Sequence, residues 1–125
     1  MTNNLKEKRI AVIGVSQRQE KWGFKIFCDL LTAGYLVEGV NPANGEVLGK
    51  TIFRNLAEIS PPPELVITVV PAAVTEQVVE ECKKLEINEI WMQPGSESKQ
   101  AIEKARQYGL SVTTGACFMV AKGLW

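Results

Sequence analysis

Residues 9–23 read RIAVIGVSQRQEKWG, and this stretch decides the fold class. Its opening part, Ile10 to Ile13, is a continuous apolar run, which is typical of a strand buried on both faces. Gly14 ends the run, and apolar residues at helical spacing follow from Gly23 to Ala33. The stretch therefore predicts a buried strand, a loop at its carboxyl end and a helix that crosses back over the sheet.

The same alternation of strands and helices continues along the rest of the chain. Further strands are predicted at residues 36–40, 65–70, 89–92 and 110–113, with a weaker candidate at 51–53. Helices are predicted over residues 73–85 and 98–108, and a single helical turn over 55–59. Such alternation implies right-handed crossovers and a parallel sheet. The sequence thus predicts one α/β domain over residues 1–125, a Rossmann-like three-layer fold with a five- to six-stranded parallel sheet.

Composition narrows the range of functions. The chain has 125 residues, 46% hydrophobic and 22% charged, which is the usual mix of one globular domain. Fourteen basic residues balance fourteen acidic ones, so no net field attracts nucleic acid or an anionic membrane, and neither partner is expected. There is no histidine. That removes the commonest general base and transition-metal ligand, and no metal site is expected.

The three cysteines, Cys28, Cys82 and Cys117, indicate a reduced environment. Their odd number and the lack of a Cys-x-x-Cys pair argue against both a disulfide framework and a zinc site. The polar N-terminus lacks the apolar run of a signal peptide, and the longest apolar stretches, such as residues 65–70, are too short to cross a bilayer. A cytoplasmic protein is expected. Cys28 and Cys82 fall on apolar helix faces and are predicted to be core residues.

The loop from Gly14 to Gly23 is the main candidate ligand site, because sheets of this kind bind ligands at the carboxyl ends of their strands. The same rule selects three further loops: Asn41-Pro42, Pro71 to Ala73, and Gln93 to Ser96. A helix that starts after a glycine-rich turn offers free N–H groups to a phosphate. The loop and the helix start add a hydroxyl and three cations against one carboxylate: Ser16, Arg18, Lys21, Lys25 and Glu20. The spacing matches neither of the two common phosphate-binding glycine motifs. The alternative is that the two glycines only shape a turn.

The end of the second strand bears on the type of nucleotide. A site for NAD usually carries Asp or Glu at this position, where the carboxylate accepts hydrogen bonds from the ribose hydroxyls. Here the strand ends in Val40-Asn41-Pro42, and Glu38 lies two residues too early. An uncharged strand end suits a ribose that already bears a phosphate, so the pattern disfavours NAD.

Several short motifs along the chain resemble a known family. They stand at residues 9–16, 21–23, 34–35, 40–42, 45, 48–49, 64–67, 70–71, 78–82, 90–95 and 109–110. In order and spacing they are similar to the stand-alone CoA-binding proteins, which are related to the N-terminal CoA-binding domain of the succinyl-CoA synthetase α-subunit. The resemblance extends from about Lys8 to Cys117.

The resemblance implies a Rossmann-type fold that binds coenzyme A, and it assigns candidate contacts by position. The phosphates would meet Gly14, Val15, Ser16 and Lys21, with Gly23 ending the same loop. The adenosine end would be bordered by Val40, Asn41 and Pro42. The middle of the ligand would be lined by Val70, Pro71 and Ala72, and the pantetheine arm would approach Gln93 and Pro94. Val15 stands where the family usually has alanine, and its added methyl groups are expected to narrow the loop.

The predicted function is therefore binding of coenzyme A or acyl-CoA without catalytic activity of its own. The second domain of the synthetase, with its phosphorylated histidine, has no counterpart in this chain, so synthetase activity does not carry over. Two alternatives stay open: a regulatory NAD(H)-binding module, and a CoA-handling component of a multi-subunit acyl-CoA enzyme. Partners are accordingly the small molecule itself, a second copy in a homodimer, or an acyl-CoA enzyme subunit.

Four further features of the sequence are each compatible with more than one role. Cys117 is either an inert loop residue or a thiol that exchanges with the thiol of CoA. The apolar tail, residues 118–125, either folds back over the sheet edge or forms a dimer contact. Trp22 either stacks on adenine or packs on the helix face. Glu97 is expected to favour a helix N-terminus rather than to act as a general base.

Overall fold

The computed structural model describes residues 5–125. Its elements, in chain order, are β1 (Arg9–Ile13), α1 (Trp22–Thr32), β2 (Leu36–Val40), β3 (Gly45–Val47), β4 (Lys50–Phe53), β5 (Leu65–Thr68), α2 (Ala72–Leu85), β6 (Glu89–Met92), α3 (Lys99–Gln107), β7 (Ser111–Thr113) and α4 (Phe118–Ala121). Single turns of 3-10 helix lie at Leu5–Glu7 and Leu56–Glu58. Every predicted helix and strand is present, with ends within about two residues of the prediction.

The strands form a seven-stranded sheet in the order β3-β4-β2-β1-β5-β6-β7. Six of them run parallel, and the edge strand β3 runs antiparallel to β4. The predicted Rossmann-like three-layer fold is confirmed. The six parallel strands are the upper end of the predicted five to six, and the antiparallel β3 is an additional strand. Chain order reverses between β1 and β5, where Ile13 is paired with Val40 on one side and Thr68 on the other. That reversal is the point at which such sheets open a crevice for a ligand.

The antiparallel strand β3 was not predicted, because the hairpin that it forms lacks the usual turn sequence. Leu48 and Gly49 join β3 to β4, and both have positive φ angles, 51° and 78°. Two successive left-handed residues form the type I′ turn that connects most tight hairpins, for which Asn-Gly is the common sequence. A leucine in that conformation is rare, so no turn is predicted here from the residue types.

Two apolar clusters, one on each face of the sheet, form the core. Ile10 and Val12 of β1 pack on the face covered by α1 and α4, whereas Ala11 and Ile13 pack on the face covered by α2 and α3. Because both faces are covered, the strand is apolar throughout rather than alternating. Cys82 is fully buried in α2, as predicted, and Cys28 packs half-buried on the α1 side. Within residues 5–125, no helix is long and apolar enough to cross a membrane.

The C-terminal tail folds back onto the protein, which is one of the two predicted alternatives. Phe118 and Met119 are fully buried in the cluster on the α1 face. The Phe118 ring lies edge-on to Trp91, with 5.0 Å between ring centroids. At the end of the tail, Trp125 Nε1 donates a 2.6 Å hydrogen bond to Asp29 Oδ2 on α1. The tail therefore covers a face of the sheet, not only its edge as expected.

Candidate functional site

The carboxyl ends of β2, β1, β5 and β6 lie side by side and bring the predicted site residues to one edge of the sheet. Hydrogen bonds between neighbouring chain segments continue beyond the ends of the strands: Val69 N donates to Ile13 O at 2.9 Å, and Gln93 N donates to Thr68 O at 3.1 Å. The four predicted loops start from this edge. They carry, in chain order, Gly14, Val15, Ser16, Lys21 and Gly23; Val40, Asn41 and Pro42; Val70, Pro71 and Ala72; and Gln93 and Pro94. Contact of these residues with a ligand stays a prediction.

The first two amides of the loop are already engaged within the protein. Gly14 N and Val15 N both donate to the carbonyl oxygen of Val40, at 2.8 and 3.2 Å. The Val15 side chain is 1% exposed and packs against Gly39 and the α1-side cluster. The expectation that its methyl groups narrow the loop is therefore wrong, since they fill the core. Donors for a phosphate have to come from residues further along the loop.

The start of α1 is the next group of backbone N–H donors along the loop. Lys21 is the residue before the helix, has an extended backbone and makes no side-chain cap. The first amides of a helix have no acceptor within it, and they carry a partial positive charge. Gly23, in this first turn, lies directly against Gly14, where a β-carbon would overlap the Gly14 carbonyl oxygen. The unpaired amides of α1 are thereby held next to the end of β1, beside the point where the sheet reverses.

Charged and hydroxyl groups surround this helix start. Ser16 Oγ accepts a 3.0 Å hydrogen bond from Arg18 N, which orders the loop. Arg18 forms an exposed 2.7 Å ion pair with Glu20. A backbone hydrogen bond, and to a smaller extent Arg18, lowers the pKa of the Glu20 carboxyl. Arg18 thus forms the ion pair with the loop's one carboxylate, Lys21 attracts it more weakly, and both cationic side chains are exposed.

Asn41 joins the end of β2 to the first loop. Its side-chain amide donates to Val15 O at 2.9 Å, and its Oδ1 accepts from Ala43 N at 2.9 Å. Glu38 faces away from this end, since it pairs with Lys50 at 2.9 Å within the sheet. The uncharged strand end and the cationic loop therefore form one continuous surface.

Arg54 is a cation at this edge that the sequence reasoning missed. It directly follows β4, whose last residue, Phe53, accepts a 2.8 Å hydrogen bond from Asn41 N. Arg54 is exposed and follows Phe53, the residue paired with Val40 at the β2 end, and its backbone N donates a 2.9 Å hydrogen bond to Glu58 Oε1. Its position could have been predicted from the sequence, because it is a basic residue directly after the weakly patterned strand at 51–53.

Gln93 connects the end of β6 to the C-terminal segment through two side-chain hydrogen bonds. Its side chain is buried, and its Nε2 donates to Cys117 Sγ at 3.3 Å while its Oε1 accepts from Phe118 N at 2.6 Å. Pro94 follows it and is exposed. At the end of β5, on the same side of the reversal point, Val70 packs against Gly14, and the exposed Pro71 directly precedes α2. Glu97 accepts from Gly95 N at 2.7 Å in the loop before α3, whereas Ser98 caps the helix by accepting from Ala101 N, so the expected effect of Glu97 on the helix N-terminus stays a prediction.

An apolar cavity of about 400 Å³ opens beside Gln93 and Pro94. Besides those two residues it is lined by Trp22, Ile26, Val69, Cys117, Val120 and Trp125. The rings of Trp22 and Trp125 lie 5.7 Å apart, so Trp22 packs on the tail, an arrangement that neither alternative for this residue included. The sequence signal for the cavity was the unusually apolar C-terminus.

Cys117 lies in the wall of this cavity and is the most acidic of the three thiols. Partial burial alone would raise its pKa, but hydrogen bonds from the Gln93 side chain and from the Val120 and Met119 amides outweigh burial, and the pKa is lowered. Burial, reinforced by Glu81, raises the pKa of Cys82 to about 12. Burial, with a smaller effect of Asp29, also raises the pKa of Cys28.

Comparison with known proteins identifies the family. The sequence profile described as CoA binding domain matches residues 8–123. The chain belongs to this family. The resemblance inferred from the short motifs is thus confirmed, and family membership supports coenzyme A as the ligand. Within residues 5–125, no group of three or more potential metal ligands comes together.

Similar proteins of this CoA binding domain family occur alone and within larger enzymes. The chain is 29% identical over 116 residues to the protein YneT of Bacillus subtilis, which covers 93% of this chain and 86% of YneT. It is 31% identical to the α-subunit of acetate–CoA ligase (ADP-forming) I of Pyrococcus furiosus, over 84% of this chain but 26% of that subunit. A solved structure of a conserved hypothetical protein from Pyrococcus furiosus superimposes with a TM-score of 0.87 at 32% identity, covering 91% of this chain and 98% of that one.

Proposed function

We propose that this protein binds coenzyme A or acyl-CoA and has no catalytic activity of its own. The diphosphate would lie at the start of α1, between Ser16 and Lys21. The observation that carries the proposal is the 2.9 Å hydrogen bond from Asn41 Nδ2 to Val15 O. It joins a cationic helix start to a strand end without a carboxylate, which is the combination that a phosphorylated ribose and a diphosphate require.

The groups at this edge suit the anionic part of coenzyme A. A hydroxyl and an ammonium, Ser16 and Lys21, lie where a diphosphate would meet the free amides of α1. We further propose that Arg54, which follows the residue paired with the β2 end, meets the phosphate on the ribose. Charge-assisted hydrogen bonds contribute about 1.5–3 kcal/mol each. Three of them supply much of the roughly 8 kcal/mol that micromolar binding needs.

The proposed lack of catalytic activity rests on the general acids and bases at this edge of the sheet. The chain has no histidine. Two carboxylates near the site are already engaged, Glu20 with Arg18 and Glu97 with the Gly95 amide. A carboxylate acting as general base needs to reach the proton that it removes, and neither group is free to do so in this arrangement.

A second candidate function is that of a CoA-handling component of a multi-subunit acyl-CoA enzyme in the cytoplasm. The similarity to about a quarter of an acetate–CoA ligase α-subunit supports it. In that case the catalytic residues would come from a partner. The third possibility, a regulatory NAD(H)-binding module, finds less support, because Glu38 is paired with Lys50 rather than placed at the end of β2.

Calorimetric titration of the purified protein with CoA, NAD and ATP tests the proposal. We expect CoA to bind most tightly. Lys21→Ala should weaken CoA binding about tenfold, which corresponds to about 1.4 kcal/mol. Lys84→Ala is the matched control, because it removes the same charge from the last turn of α2, at the opposite edge of the sheet.

Two results would count against the proposal. Binding of NAD at least as tight as that of CoA would show that the uncharged β2 end does not select the phosphorylated ribose. Turnover of acyl-CoA by the purified protein alone would contradict its non-catalytic part. Turnover only after addition of a partner subunit would favour the second candidate.

A further inference from the structure

We propose that the apolar cavity beside Gln93 and Pro94 binds the acyl chain of an acyl-CoA, so that the preferred ligand is a thioester with an aliphatic acyl group rather than free CoA. This inference rests on the proposed CoA-binding function. It goes further in naming the substrate class and the site that selects it.

Exposed apolar side chains converge on this cavity. In the part of the chain that the structure describes, five large apolar residues are exposed, and three of them line it: Trp22 (61% exposed), Val120 (60%) and Trp125 (43%). The other two, Leu36 and Leu48, lie apart from it. A cluster of exposed apolar groups marks a binding surface, whereas scattered ones are ordinary. The cluster therefore indicates that an apolar partner covers these three side chains.

The Gln93 amide and the Trp125 indole, two polar groups of the cavity wall, are hydrogen-bonded within the protein. The Gln93 amide nitrogen donates to Cys117 Sγ, and its oxygen accepts from Phe118 N. The Trp125 indole N–H is taken by Asp29. A polar ligand would find few partners on this wall, and its own polar groups would lose their contacts with water. An aliphatic chain has no such requirement, and the volume of about 400 Å³ is typical of a small-molecule site.

The position of the cavity favours an occupant attached to coenzyme A. Trp22, on one side of it, is the neighbour of Lys21 and the first residue of α1. Gln93 and Pro94, on the other side, follow β6, where the pantetheine arm is predicted to run. A ligand with its diphosphate at Lys21 and its arm directed to Pro94 would bring its sulfur end to this cavity. An acyl group on that sulfur would continue inside.

Titration with CoA, acetyl-CoA, butyryl-CoA and hexanoyl-CoA tests the inference. Burial of one methylene strengthens binding about threefold to fourfold. The affinity of the protein should therefore rise by at least tenfold from acetyl-CoA to hexanoyl-CoA. Val120→Glu places a charge in the cavity and should abolish this dependence on chain length. Leu36→Glu, an exposed apolar residue at the opposite edge of the sheet, should leave the dependence intact.

Alkylation of Cys117 by iodoacetamide reports occupancy of the cavity independently of affinity. Hexanoyl-CoA should slow the alkylation of Cys117 at least tenfold more than CoA does. Cys28, which is half-buried on α1 and does not line the cavity, is the internal control and should react at one rate throughout.

The failures of the two proposals are distinguishable. Equal affinity for CoA and hexanoyl-CoA, with equal protection of Cys117, would overturn the acyl site and leave CoA binding intact. If neither compound bound, the proposed function itself would fail. Light scattering gives the remaining outcome: a dimer that Val120→Glu dissociates would show that a second copy covers this cavity, and the acyl site would again be overturned.

Discussion

Gly23 at the start of α1 lies against the carbonyl oxygen of Gly14 at the end of β1, so closely that a β-carbon on Gly23 would overlap that oxygen. Gly14 in turn has a φ angle of 102°, and a β-carbon there would overlap Val69. Both glycines are thus required by packing within the protein. They set how close the amino end of the helix comes to the switch point of the sheet, and so where an anion can bind.

Gly23→Ala should destabilise the protein by about 1–3 kcal/mol, the usual cost of forcing an extra methyl group into a closed contact. At an ordinary helix position the same change is stabilising by about 1 kcal/mol. The sign of the effect therefore decides whether the contact with Gly14 exists. Urea denaturation gives the free energy of unfolding. Thr32→Ala, at the exposed end of the same helix, is the control and should change it little.

Thr75→Val should leave the stability unchanged or raise it by up to about 1 kcal/mol. Among the residues that the structure describes, Thr75 Oγ1 is a buried side-chain oxygen without a hydrogen-bond partner. A buried polar atom without a partner costs about 1–3 kcal/mol, and valine has the same shape without the hydroxyl. Thermal or urea unfolding measures the difference.

Thr68→Val is the matched control for that substitution. Thr68 is equally buried, but its hydroxyl shares a 2.8 Å hydrogen bond with the Ser96 hydroxyl. Its replacement should destabilise the protein by about 0.5–1.5 kcal/mol, the net contribution of one hydrogen bond, because Ser96 Oγ loses this partner but still donates to the carbonyl oxygens of Thr68 and Gln93. A comparable loss of stability in both variants would mean that the Thr75 hydroxyl has a partner after all.

Sequence patterns predicted the parallel strands and their helices well, because a strand covered on both faces has to be apolar throughout. The run from Ile10 to Ile13 shows this, with neighbouring residues packing into opposite clusters. The hairpin of β3 and β4 was not predictable in the same way. Its turn depends on Leu48 in a left-handed conformation, which no local sequence rule favours.

The candidate site was predicted at the level of loops but not of individual atoms. The rule that ligands bind at the carboxyl edge located all four loops. Whether a given amide is free depends on contacts between distant segments, such as that of Val40 O with Gly14 and Val15. The apolar cavity depends on how the tail packs, since Val120 and Trp125 reach it only after the chain folds back. Sequence spacing carries no information on such contacts.

Cys117 should be the thiol that reacts fastest with iodoacetamide at pH 7–8. Hydrogen bonds from Gln93 and two backbone amides outweigh partial burial and lower its pKa, so its thiolate forms at lower pH than that of an ordinary cysteine. Cys82, whose pKa burial raises to about 12, should react only when the protein unfolds. Mass spectrometry of the alkylated peptides as a function of pH measures both.

Gln93→Leu tests the cause of that reactivity, because leucine removes the hydrogen bond to the sulfur. The midpoint of Cys117 alkylation should move to higher pH, while Cys28 stays unchanged. An unaltered midpoint would show that the amide of Gln93 does not stabilise the thiolate. Since Gln93 also accepts from Phe118 N, the fold of the variant should be compared with that of the wild type by circular dichroism.

Arg54→Gln should weaken binding of CoA about tenfold and leave binding of 3′-dephospho-CoA unchanged. Arg54 follows Phe53, whose carbonyl oxygen accepts from Asn41 N at the end of β2, where the phosphorylated ribose is proposed to lie. A charge-assisted contact with a phosphate contributes about 1.5–3 kcal/mol. A ligand without that phosphate does not form the contact, so its affinity should not change. Calorimetric titration of both ligands gives the two ratios.

The comparison of Arg54→Gln with Lys21→Ala separates the two phosphate positions. Lys21 stands before the first turn of α1, where the diphosphate common to both ligands is proposed to bind. Lys21→Ala should weaken the binding of CoA and of 3′-dephospho-CoA by the same factor, whereas Arg54→Gln should weaken the binding of CoA alone. Equal weakening of both ligands by Arg54→Gln would mean that this guanidinium acts on the diphosphate or at long range. In that case the uncharged β2 end would no longer explain the preference for CoA over NAD.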